Sequence, residues 1–257
     1  MYSEQDLKHA AEFRAELHRA ALERVRAVFP GADHVVDKYP AEAYFQQVWD
    51  YPGKWYAVVG TPPGAGGRKE LIGAIVRETL EEYRKAGAAR SDEIFTRLLA
   101  EYPALACAYC LINADDPEAK AAGLFPYRGV ESHRLALERA ARERFSDGKE
   151  WAYDLNAARC RKLSGKGLFA PANSDQWLNY RRAFRCPPHG KSYTDEDFER
   201  VNAVLFPGGA EALEAYRWTT DWSEYFGEGR EDWGALCLTV YDQALDRFVV
   251  ILASASD

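Results

Sequence analysis

Near the C-terminus, Leu236, Leu238 and Val240 alternate with Cys237, Thr239 and Tyr241, and a five-residue link from Asp242 to Asp246 leads into Arg247 to Ala253. Successive residues of a strand point to opposite faces of its sheet, so a strand with one wet face alternates apolar with polar. Here both parities are largely apolar. A hairpin of this kind needs cover on both faces, which places it inside a sheet rather than at the edge. A sheet covered twice needs helices, and the rest of the chain supplies them.

At the N-terminus Ser3 and Asp6 form a capping-box-like pair. Phe13, Leu17, Ala21, Val25 and Val28 follow at helical spacing, and Phe29-Pro30-Gly31 stops the pattern. The polar side of this helix is mixed in sign, which favours packing on the domain over lying on a membrane. After a turn at Tyr51 to Lys54, residues Trp55 to Gly60 read as a buried strand. A helix carrying Ile75 and Tyr83 is expected to end at Gly87, and Ser91 to cap a second, shorter one with Phe95 and Leu98. Leu105 to Asn113 has the length of a strand, Asp115 to Gly129 reads as loop with one helical turn, and Ser132 to Phe145 is helical. Trp151 to Leu155 reads as a strand. Ser174 opens a helix with Trp177, Leu178, Arg181 and Phe184, and Thr194 with Asp197 caps another. Strands and helices mix without sustained alternation, so the expected class is α+β: a mixed or mainly antiparallel sheet, the C-terminal hairpin at its centre, packed by several amphipathic helices. One domain over 1–257 is expected, and 171–173 is where a boundary would fall.

Charge narrows the functional classes. With 40 acidic against 33 basic residues the net charge is −7, which argues against a nucleic-acid groove because phosphate binding needs a positive face. No apolar run has the length of a membrane span, and the N-terminus lacks the apolar core of a signal peptide, so a cytoplasmic protein is expected. The five cysteines are odd in number and dispersed, which reads as reduced thiols. Frequent alanine and arginine suggest a bacterial coding sequence.

The motifs that could carry chemistry are few. The loop from Gly60 to Lys69 lies between a strand and a helix but lacks the Lys-Ser/Thr ending of a phosphate loop, and two prolines remove donors, so it reads as a connector. Cys107 and Cys110 lie in a strand with their side chains on opposite faces, which suits core thiols rather than a redox pair. The turn Cys186-Pro-Pro-His189 brings together a nucleophile and a base or metal ligand, and is the one catalytic candidate. The cysteines lack zinc spacing, and no signature of a cofactor or metal site stands out. Arg159, Arg161, Lys162 and Lys166, with Arg181, Arg182 and Arg185, would make an anionic-ligand site if the fold gathered them.

The last feature is the segment from Trp218 to Trp233, with Trp218, Trp222, Tyr225, Phe226 and Trp233 among the acids Asp221, Glu224, Glu228, Glu231 and Asp232. Aromatic residues anchor interfaces, and acids around them attract a basic partner. The leading expectation is therefore a non-enzymatic binding protein using Trp218, Asp221, Trp222, Glu224, Tyr225, Glu228 and Trp233 against a basic protein, as an immunity protein meets a toxin. The alternatives are an enzyme pairing Cys186 or His189 with these carboxylates, and a binder of a small molecule or carbohydrate. The plain structural alternative makes the aromatics core anchors of an ordinary loop.

Overall fold

The C-terminal hairpin occupies the middle of a five-stranded antiparallel sheet in the computed structural model. Its strands β6 (Leu236–Asp242) and β7 (Arg247–Ala253) are buried at every position. They pair from Leu236 against Ala253 to Asp242 against Arg247. Strand β3 (Cys107–Asn113) joins the outer side of β7. Strand β5 (Leu213–Trp218), then β4 (Cys160–Ser164), extend the sheet beyond β6, giving the order β3-β7-β6-β5-β4. The sheet is open, and with its helices the fold is α+β.

The structure describes helical positions between 12 and 27, and residues 32–36, 56–59, 68–145, 151–171, 178–227 and 233–255. The Ser3–Asp6 cap, the apolar stripe from Phe13 to Val28, the turn at 51–54, the loop at 60–67, Ser174 to Trp177, and Glu228, Glu231 and Asp232 lie outside the described residues. The chain divides into two units, Met1–Gly87 and Ala88–Asp257, rather than near 171–173. In the first, β1 (Ala32–Val36) pairs antiparallel with β2 (Tyr56–Val59). Arg24 pairs with Glu82, and the Tyr83 hydroxyl donates to Glu16.

Helix α1 (Arg68–Leu99) runs unbroken through Gly87, where the sequence predicts a stop. A glycine inside a helix costs only about 1 kcal/mol relative to alanine. The packing of Phe95 and Leu98 into the core outweighs that. Ser91 does not cap a new helix; its hydroxyl donates to the Val204 carbonyl at 2.6 Å.

The second unit has a core on each face of the sheet. Leu213, Ala215, Leu236, Leu238, Val249 and Ile251 point to the first face. The end of α1, with the helices α4 (Gly165–Phe169), α5 (Tyr180–Arg185) and α6 (Asp195–Leu205), covers it. Trp218, Cys237, Tyr241, Phe248, Val250 and Leu252 point to the second face. There α2 (Pro117–Ala121), α3 (Val130–Phe145) and the aromatic segment after β5 form the cover. Thr194 and Asp197 form the expected capping box at the start of α6. In the region of Trp151 to Leu155 the expected strand is reduced to one bridge, Tyr153 with Ser223, because that stretch meets a loop rather than a strand. Helix α5 begins at Tyr180, capped by the Asn179 side chain. Among the described residues no helix is long and apolar enough to cross a membrane.

Candidate anion-binding pocket

The described aromatic side chains of the segment do not line a surface. Trp222 and Tyr225 are each 1% exposed and Trp218 2%, which makes them core residues and overturns their expected role as exposed interface anchors. Local geometry explains the outcome. The Ser223 hydroxyl accepts from the Tyr225 amide at the head of a 3-10 turn, Glu224–Phe226. This turn directs Trp222, Tyr225 and Phe226 inward and leaves Asp221 and Glu224 exposed. The rings pack edge to face, Trp222 to Phe226 at 5.2 Å and Tyr225 to Phe226 at 4.9 Å. Trp233 is half-buried against the other face, where its Nε1 donates to the Cys186 carbonyl at 2.6 Å. The expected aromatic residues are thus divided between two cores, while Asp221 and Glu224 are exposed and Glu228 lies outside the described residues.

Cys186 and His189 are both exposed, in a turn whose backbone is tied by the Cys186 amide to the Arg182 carbonyl. Among the described residues no group of three His, Cys, Asp or Glu could hold a metal. Cys107 and Cys110 do face opposite sides of β3. The Cys110 thiol donates to Glu143 at 3.3 Å, and burial pushes its pKa up, away from thiolate chemistry.

On the second face the chemistry-bearing groups form a closed chain. Lys162 donates to Glu214 at 2.7 Å, and the Tyr127 hydroxyl donates to the other Glu214 oxygen. Tyr127 has one proton and has given it away, so at 3.3 Å from His133 Nε2 it must accept. That makes Nε2 the protonated nitrogen and Nδ1 the acceptor, for the Thr239 hydroxyl at 2.8 Å. Thr239 Oγ1 accepts in turn from Trp218 Nε1 at 2.9 Å. Burial holds the His133 pKa down to about 3, with Lys162 adding to the effect, so the ring is neutral at ordinary pH. Every donor in this chain ends on an acceptor of the protein itself.

The first face holds the opposite case. Arg161 on β4 and Arg217 on β5 are register partners and therefore point to the same side. They line a cavity of about 170 Å³ whose apolar wall comes from Leu163, Leu168, Leu236 and Leu238. Like charges directly opposite across a ladder are destabilising. Arg217 is half-buried, and desolvation, then the neighbouring Arg161 charge, lower its pKa. Among the described residues neither guanidinium has a carboxylate or a hydrogen-bond acceptor.

The walls are held by specific local structure. Ser164 caps α4 by accepting from the Gly167 amide at 3.0 Å. A Cβ at Gly165 would lie 1.8 Å from the Ala210 carbonyl oxygen, so glycine is required for α4 to pack there. That packing sets Gly167 and Leu168 at the cavity wall. Asn179 accepts from the Arg182 amide and donates to the Ala170 carbonyl. The Tyr180 hydroxyl donates to Asn202 at 2.9 Å and lies 3.1 Å from the Tyr109 hydroxyl.

The basic residues considered from sequence do not gather as one site. Arg181 pairs with Asp195 and Glu199, Arg185 with Asp195, and Lys162 turns to the second face. Of that set Arg161 reaches the cavity, and its partner Arg217 lies on a strand the sequence reading missed. The signal was present in parity: Leu213, Ala215 and Arg217 share one face, so an arginine occupies an inward position. A larger hollow of about 330 Å³ lies beside β3, but its Glu143 already accepts from Cys110 and pairs with Arg139. Comparison with known proteins finds no matching family model, no matching curated protein and no matching solved structure.

Proposed function

We propose that the Ala88–Asp257 unit is a binding module for a small anion, held between Arg161 and Arg217. The observation that supports this is the facing pair of guanidiniums lining a cavity, without a counter-charge among the described residues. A bound anion would relieve the repulsion between them, and bidentate contacts to carboxylate or phosphate suit the planar guanidinium. The described lining has no carboxylate, thiol or imidazole, which favours binding over catalysis. A net charge of −7 makes the site a local positive spot on an acidic protein. This reading develops the small-molecule alternative rather than the partner-protein one, whose aromatics Trp218, Trp222 and Tyr225 are buried.

Inorganic phosphate and sulfate are the first probes, followed by melting curves and titration calorimetry. At about a hundredfold excess over its Kd, a bound anion stabilises the fold by about 2.7 kcal/mol. Arg217→Gln should abolish the shift, whereas Lys162→Gln, one residue from Arg161 but on the other face, should retain it. A shift of equal size in wild type and Arg217→Gln would reject the site.

A further inference from the structure

We propose that the β4 border of the five-stranded sheet receives an extended acidic segment of another protein as an added strand. The proposal goes beyond the anion reading and stands whether or not the cavity takes an anion. It rests on what β4 exposes and on which partner answers it.

A strand at a border turns half of its backbone groups away from its neighbour. Which half is set by a bond just outside the strand, from the Thr219 amide to the Arg159 carbonyl at 2.7 Å. Backbone direction alternates along an antiparallel pair, so Arg161 and Leu163 also turn their N–H and C=O groups to β5. Cys160 and Lys162 therefore turn theirs outward. The border is open: Cys160, Arg161, Lys162 and Ser164 are exposed, and Leu163 is half-buried.

Charge selects the strand. Residues 159–166 hold Arg159, Arg161, Lys162 and Lys166 and no acidic residue, on a chain whose net charge is −7. Arg161 points to the first face and Lys162 to the second, so the border is basic on both. Glu214 holds the Lys162 ammonium at 2.7 Å, yet the Lys162 side chain stays 60% exposed. A second copy of β4 is repelled by this charge, and an acidic strand is drawn to it. Consecutive side chains of a strand point to opposite faces, so two adjacent acids on the segment meet Arg161 and Lys162 together. The acid opposite Arg161 stands in a non-hydrogen-bonded pair, where side chains approach most closely.

The backbone favours a peptide over a nucleic acid, the other polyanion that a basic strip attracts. Cys160 and Lys162 turn carbonyls outward as well as amides. Phosphate accepts from an amide but donates nothing to a carbonyl, whereas a peptide strand answers both.

The test uses the full chain and capped, labelled peptides of the pattern Val-Thr-Glu-Glu-Thr-Val in anisotropy titrations. The acidic peptide is expected to bind about tenfold more tightly than its Gln-Gln counterpart, and the gap should shrink as salt rises. Methylating alternate peptide nitrogens should weaken binding about tenfold in the register that faces β4, because ladder donors are lost. Cys160→Pro removes an outward N–H at the first residue of an edge strand, where proline is tolerated. It should weaken the peptide by a similar factor and leave melting near wild type. Lys162→Gln should weaken the acidic peptide about fivefold and keep the phosphate-induced shift. Arg217→Gln, one strand further in, should do the reverse: it abolishes the phosphate shift and changes peptide affinity less than about twofold.

Equal binding of the Gln-Gln peptide overturns the charge selection. Equal binding of both methylated registers overturns the added strand. Displacement of the peptide by a lower concentration of oligothymidylate gives the border to nucleic acid and overturns the peptide partner. No binding of the acidic peptide overturns the proposal outright, and a phosphate shift that persists in that case leaves the cavity reading in place. Peptide binding without a phosphate shift supports the border and rejects the cavity.

Discussion

Arg217 and Thr239 stand on neighbouring strands of one sheet and point to opposite faces, and they live under opposite rules. On the second face Thr239 belongs to a chain of hydrogen bonds that starts at Trp218 Nε1, passes through His133 and Tyr127, and ends on a carboxylate held by Lys162. On the first face Arg217 meets another arginine and nothing that answers it among the described residues. Polar groups saturated by the protein are part of its architecture, because leaving one unmade is costly. The richer cluster, with its histidine, tyrosine, carboxylate and lysine, is saturated within the protein, and the poorer one is the site proposed for an anion.

The strongest blow to the second face is Trp222→Ala. A ring 1% exposed and packed on Phe226 should cost about 3–5 kcal/mol on truncation, read from denaturant midpoints. Anion binding by the molecules that remain folded should be unchanged. A loss below about 1 kcal/mol, with binding of a basic protein abolished, would return the aromatic segment to the surface.

A subtler effect is expected from pH. His133 is buried and neutral, with a pKa near 3 in the fold against about 6.5 when unfolded. Between these values the unfolded chain binds one more proton at this site than the native one. Stability contributed here is full above about pH 6.5 and falls as pH drops toward 3. Urea midpoints across that window should show a slope from this proton in the wild type. In His133→Gln, which has no such proton to take up, the slope should be shallower by about one proton. An unchanged slope would mean that the ring is reached by water and that the chain of bonds is not closed.

The smallest effect sharpens the comparison most. Arg217→Leu removes, from a partly buried position beside leucines, a charge unanswered among the described residues, so stability should stay within about 1 kcal/mol of wild type or rise. Stability unchanged or raised in Arg217→Leu, together with loss of the anion-induced shift, is the outcome the binding reading expects. If Arg217→Leu instead melts with a loss above about 2 kcal/mol, the guanidinium has a structural partner and the two faces are alike.

Much of this fold was legible because its strongest signals are periodic. The hairpin has two apolar parities, and it became the two strands buried at every position. Thr194 and Asp197 stand three apart, and they close a capping box. Composition misled where geometry decides. Gly87 looks like a helix end, yet the apolar contacts of Phe95 and Leu98 carry α1 through it. The segment from Trp218 onward has the letters of an interface. A 3-10 turn sorts its aromatics inward and Asp221 and Glu224 outward, and no count of residues contains that sorting. The pocket was half legible. Arg161 was recognised as a candidate, but its opposite number depends on a strand register linking residues 56 positions apart (217 − 161), which no local pattern encodes.

The sheet's two borders are unequally guarded. A strand at the border offers its unpaired backbone to any other strand that approaches, and charge along it discourages the approach. At the β4 border Arg161 projects to one side and Lys162 to the other, so an incoming strand meets positive charge whichever way it lies. The β3 border, Cys-Ala-Tyr-Cys-Leu-Ile-Asn, has no charged residue along its length. The guanidinium that lines the pocket from β4 also keeps its own border from growing, and self-association of this sheet would begin from β3.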